Sequence, residues 1–141
     1  MDVNEFIYNV RKSADIEIDN KQAGLILENV LDNGYMLEFN GDDFVIKWTD
    51  QLGDMDKKVS PDDLIIFAMN QKYKSTCKMM DSLDEIKAIN INNVRDFCAK
   101  LENLIIEESE LHQLEKAFTQ TAHYKDIKKS IEKIPEKSKS R

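Results

Sequence analysis

The sequence predicts a predominantly helical α+β chain, and three observations carry that reading. Only four glycines and two prolines interrupt 141 residues, so helix breakers are scarce. Apolar residues recur at helical spacing over most of the chain, most persistently from Val94 to Phe118. From Tyr35 to Trp48 the period switches to two around Asn40-Gly41. The architecture expected is two short N-terminal helices, one β-hairpin, and a helical C-terminal half with one long amphipathic helix. One globular domain is expected over 1–134, divided into an acidic helix-helix-hairpin part (1–59) and a helical part (60–134), with 135–141 as a flexible basic tail.

Val3, Phe6, Ile7 and Val10 form one stripe on a first helix from about Asp2 to Ser13. The second helix carries the clearest boundary signals. Asp19 is placed as N-cap with Gln22 three residues on, Ile18 can staple onto Ala23, and Gly34 lies just past the end. "YMLEF" and "FVIKW" flank "NGDD" as the two strands of a hairpin, and the polar run that follows reads as a loop. Ser60 and Pro61 open a helix expected to reach about Met79, with Asp62 and Asp63 in its first turn. "DSLDEIKAININN" reads as a short helical turn and a joint around Asn90 to Asn93. The long helix then runs from about Asn92 to Thr119, and a last one from Thr121 to Ile134 before Pro135.

Charge is unevenly spread. Residues 1–70 hold 15 acids against 6 bases, residues 71–120 hold 9 against 7, and residues 121–141 hold 3 against 7. An acidic N-terminal half repels phosphate backbones and a basic C-terminus attracts them. The opening residues lack the basic start and apolar core of a secretory signal, and no apolar run reaches the roughly 20 residues of a membrane span. Cys77 and Cys98, without CxxC spacing, are expected as reduced thiols, so a cytoplasmic location follows.

The acids after Asn40 are the first candidates for chemistry. A calcium loop needs ligands at alternating positions and a bidentate acid at the twelfth, and twelve counted from Asp50 or Asp54 falls on Pro61 or Ile65. A restriction-type nuclease needs an acid two residues before its lysine, where Val45 stands before Lys47. His112 and His123 lack zinc-ligand spacing, and no nucleophile elbow or phosphate loop exists among the four glycines. No metal, cofactor or catalytic residue is therefore expected. The simpler reading makes these acids loop and turn formers; the functional one makes them a binding surface. A winged helix-turn-helix is disfavoured because Lys21, Gln22 and Asn29 sit beside Asp19, Glu28 and Asp32.

In size, in its Asp/Asn/Lys/Ile-rich acidic composition, and in lacking catalytic motifs, the chain resembles small accessory proteins of phages and mobile elements, a group that includes anti-CRISPR inhibitors. That resemblance implies stoichiometric binding to a host enzyme. The function expected is non-catalytic protein binding in which Glu38, Asp42, Asp43, Asp50, Asp54 and Asp56 engage a basic surface on a nucleic-acid-handling enzyme and block it. The alternative is a nucleic-acid-binding or regulatory protein acting through Lys125, Lys128, Lys129 and Lys133. A homodimer through the far end of the long helix is a further expectation.

Overall fold

Local signals place the helices. In a computed structural model of the chain, residues 1–89 and 94–132 are described, the side chains of 86–89 and 132 excepted. Helix α1 (Val3–Ala14) starts where Asp2 accepts the Glu5 N–H at 2.8 Å and stops where Asp15 turns left-handed at φ 52°. Helix α2 (Asn20–Leu31) carries the full capping box: the Gln22 N–H donates to Asp19 Oδ1 at 2.8 Å, and the Asp19 N–H to Gln22 Oε1 at 3.1 Å. Gly34, at φ 81°, then turns the chain into the sheet.

Three antiparallel strands follow as a meander in sequence order: β1 (Met36–Phe39), β2 (Phe44–Asp50) and β3 (Gly53–Val59). The β1–β2 hairpin is as expected, with Asn40 Oδ1 accepting the N–H groups of Asp42 and Asp43 and Gly41 at φ 104°. The third strand corrects the loop expected after Trp48. "GDMDKKV" has almost no apolar residue, and pairing with β2 makes it a strand.

Helix α3 (Pro61–Ile89) opens on a reciprocal cap between Ser60 and Asp63. It runs ten residues past the expected end near Met79, because Leu83 is buried and holds "DSLDEI" in the helix. Helix α4 (Val94–Phe118) runs antiparallel to it, as contacts of Lys72 with Glu107 and Glu110 and of Ser82 with Lys100 require. Helix α5 (Ala122–Glu132) starts on the buried Thr121, whose hydroxyl accepts the Tyr124 N–H, and is tied to α3 by the His123 N–H donating to Asp62. The expected joint at 90–93, the last turn to Ile134 and the tail at 135–141 lie outside the described residues.

One apolar core gathers the elements. Phe6 and Val10 from α1, Ile26 and Val30 from α2, Leu37 and Phe44 from the sheet, Leu64, Ile65 and Ala68 from α3, and Leu114 and Ala117 from α4 are buried together. Phe44 meets both Phe6 and Phe39 at tilted ring geometries, with centroids 5.5 and 4.9 Å apart. Only the first two turns of α3 and the last two of α4 enter this core. Beyond it the two helices continue as a projecting pair, an arm of about 26 Å from Lys72 onward at 1.5 Å per residue.

At the root of the arm, Lys72 keeps 11% of its side-chain surface exposed and reaches Glu107 and Glu110, each at 3.5 Å. Glu107 Oε2 is buried without a partner. Lys72→Ala would leave two largely buried carboxylates uncompensated, so chemical denaturation should show a loss of about 3 kcal/mol. A loss below roughly 1 kcal/mol, the size of an exposed pair, would show that water reaches the triad.

Candidate functional site

The register decides where the six expected acids stand. Cross-strand partners share a face, so Met36, Glu38, Val45, Lys47, Thr49, Asp54, Asp56 and Lys58 form the outer face of the sheet. Leu37, Phe39, Phe44, Ile46, Trp48, Met55, Lys57 and Val59 form the inner one. Glu38, Asp54 and Asp56 are thus brought together on the outer face. Asp42 and Asp43 sit at the β1–β2 turn, at the opposite end of the strands from Asp50 in the β2–β3 turn.

Most of these acids have a local task. Glu38 accepts from Lys47 at 2.8 Å, Asp43 lies 3.6 Å from Lys58, Asp54 accepts the Thr49 hydroxyl at 3.0 Å, and Asp50 accepts the Leu52 N–H at 2.7 Å. The outer face is therefore an alternating lattice of acids and lysines. Lys47 sits at its centre: the hydrogen bond it donates to Glu38 raises its pKa from 10.5, Glu38's charge adds to this, burial subtracts a little, and Asp56 adds a smaller push.

The sequence reading missed the apolar residues at the far end of the sheet. Strand β1 ends at Met36, opposite Lys47, so Trp48, Thr49 and Asp50 have no strand on that side. This leaves a notch of about 500 Å³ lined by Gly34, Met36, Trp48 and Met55, with Lys47, Asp54 and Asp56 on its rim. Leu52, 89% exposed, caps the adjoining turn, and Met36 is 63% exposed. On the inner face the Trp48 ring meets the edge of Tyr35, which also meets Phe67, both pairs 5.8 Å apart at 82°. These rings, with Ile46, Val59, Lys57 and Asp63, line a second cleft of about 320 Å³ between the inner face of the sheet and the start of α3. An apolar centre with a charged rim is the anatomy of a protein contact surface. The two runs, "YMLEF" and "FVIKW", are equally long in the sequence, so nothing in them announces that β1 stops at Met36.

The alternative basic residues Lys125, Lys128 and Lys129 are exposed on α5, interleaved with Asp126; Lys133 lies outside the described residues. Among the described residues no group of three or more His, Cys, Asp or Glu side chains is placed to hold a metal ion, and no helix is long and apolar enough to cross a membrane.

The lattice gives a direct test. A raised lysine pKa means the Glu38–Lys47 pair favours the folded state below about 10.5 and that this contribution fades as pH rises through the folded-state value. Glu38→Gln should lower the Lys47 titration midpoint towards 10.5, read from its side-chain NMR signals. An unmoved midpoint would show that the pair does not form in solution.

No protein-family model matches the chain, and no curated protein or solved structure is significantly similar to it.

Proposed function

We propose that the protein is a non-catalytic protein-binding protein whose contact surface is the β2–β3 end of the sheet. The observation that carries this reading is the notch around Trp48 and Met36, rimmed by Lys47, Asp54 and Asp56, with exposed Leu52 and Asp50 at the adjoining turn. Trp and Met are enriched at interface centres, where burial supplies most of the binding energy, while rim charges set the choice of partner. Two rim acids against Lys47, with Asp50 at the adjoining turn, favour a basic partner. A nucleic-acid-binding surface on a host enzyme has that chemistry, and occupying it would inhibit the enzyme. Asp42 and Asp43, at the other end of the strands, play a lesser part than the sequence assigns them.

Affinity capture from an extract of the source organism, read by mass spectrometry, tests this with three baits. The native chain should recover a specific basic protein. Leu52→Ser with Met36→Ser, and separately Asp54→Lys with Asp56→Lys, should each weaken recovery roughly tenfold, about 1.4 kcal/mol. All four positions are exposed, so thermal midpoints should stay within a few degrees. Raised salt should weaken capture by the native chain. A partner held equally by all three baits and indifferent to salt would sink the reading.

A further inference from the structure

Strand β3 is an open edge of the sheet. Asn40 donates its N–H to the Asp43 carbonyl at 3.1 Å, so these two residues form a hydrogen-bonded pair closing the β1–β2 ladder. Antiparallel ladders alternate, and a residue's N–H and C=O point to the same side of its strand. Glu38 with Val45 and Met36 with Lys47 are therefore the next hydrogen-bonded pairs, and Phe44, Ile46, Trp48 and Asp50 turn their main-chain groups to β3. Val59, Lys57, Met55 and Gly53 answer them, which leaves the N–H and C=O of Asp54, Asp56 and Lys58 pointing out of the sheet. Among the described residues no backbone hydrogen bond reaches these three from outside the sheet, and all three are exposed. Donors and acceptors thus stand in a row about 14 Å long. On the outer face Lys47 is taken up by Glu38 and Lys58 by Asp43, and neither Asp54 nor Asp56 has an ion pair among the described residues. On the inner face Met55 is 38% exposed, and Lys57 and Val59 line the cleft that reaches Phe67.

We infer that the edge of β3 accepts an extended segment of a basic partner protein, which adds to the sheet as a fourth strand. Main-chain groups at every second residue are matched by an extended backbone, whereas a helix bonds its own groups internally and cannot answer them. Residues opposite each other in a hydrogen-bonded pair share a face. The residues that bond to Asp54 and Asp56 therefore place their side chains on the outer face beside those carboxylates, where Lys or Arg supplies the missing ion pairs. The residues between them point inward, beside Met55 and the mouth of the cleft, where apolar side chains leave water. The segment thus carries a base at alternate positions and an apolar residue between. Charged side chains on an edge also discourage indiscriminate pairing, so Asp54 and Asp56 turn away acidic strands, and the net charge of -7 opposes a second copy. The choice of a basic partner rests on the contact role proposed for this end of the sheet; the open edge stands without it.

The probe is the capped peptide Val-Lys-Val-Lys-Val, added to the isotope-labelled full chain and followed by NMR. It should bind with a Kd below about 1 mM, and the acidic peptide Val-Glu-Val-Glu-Val should not. At saturation the amide hydrogens of Asp54 and Asp56 should exchange roughly tenfold more slowly than in the free chain. Methylating the main-chain nitrogens of the two lysines should weaken binding about tenfold or more, and methylating those of the valines should leave it within about twofold, since the lysine N–H groups face β3. Asp56→Pro removes an outward N–H without touching the ladder with β2 and should abolish binding. Asp56→Asn, which loses the same charge and keeps the N–H, should weaken it only about threefold. The methylated peptides act on the native chain and do not depend on how either variant folds. Strand addition is overturned by a lysine peptide that does not bind, by equal binding of both methylated forms, or by protection of Thr49 at the notch in place of the two aspartates. A dimer of the chain alone that Asp56→Pro dissolves would overturn it too, giving the edge to a second copy. A basic protein captured through Met36 and Leu52 while the edge stays silent would keep the proposed function and strike this inference alone.

Discussion

The rest of the structure depends on burial at the base of α3 and α4. Leu64, Ile65 and Ala68 meet Leu114 and Ala117 there, beneath Phe6, Ile26 and Phe44. Each of those large side chains contributes about 1.5–3 kcal/mol on leaving water, far more than any exposed ion pair in the molecule. The meander, the notch and the arm are all placed by elements whose stripes end in that core. Helices of 29 and 25 residues, about 43 and 37 Å long, outrun a core that takes only two turns of each. An antiparallel pair with seven-residue spacing has neighbouring registers of similar apolar fit. Sliding α4 would separate Lys72 from Glu107 and Glu110 in a site with little water, and that cost opposes the slip. The unpartnered Glu107 Oε2 indicates that the triad selects a register and adds little net stability.

What the sequence made legible was local. The Asp19–Gln22 box, the Ser60-Pro61 start, Gly34 and the Asn40-Gly41 turn each act through neighbours a few residues away, so spacing is enough to read them. What it hid depends on partners far along the chain. Strand β3 has Asp and Lys at four of seven positions and forms because β2 offers it a ladder; those charges suit an exposed sheet edge. The extension of α3 past Met79 rests on Leu83 lying against α4. The long stripe on α4 is two interleaved stripes. Phe97, Leu104 and Leu111 face α3, whereas Val94, Cys98, Leu101 and Ile105 face outwards, and no pattern within one helix says which set meets the neighbour.

The candidate site was legible in its residue types and hidden in its arrangement. Composition places an excess of acids between Glu38 and Asp56, but only the register shows that Glu38 and Asp56 flank Lys47 and that Asp43 reaches Lys58. An acidic tract read in one dimension becomes, in two, a face whose charges are paired off across strands. The features that escape this pairing are apolar. Leu52 and Met36 gain nothing from water, and the Trp48 ring is left half-covered because β1 stops short of it.

Long-range charge and short-range apolar contact therefore act on different parts of this chain. A net charge of -7 is felt over a Debye length of about 8 Å at physiological salt, so it acts on any approaching partner before contact is made. Towards a basic surface that field is attractive and is reinforced by Asp50, Asp54 and Asp56 at the sheet end, whereas residues 121–141 carry the opposite sign. Raised salt therefore screens the attraction at the sheet end and leaves the apolar contact offered by Trp48, Met36 and Leu52 in place.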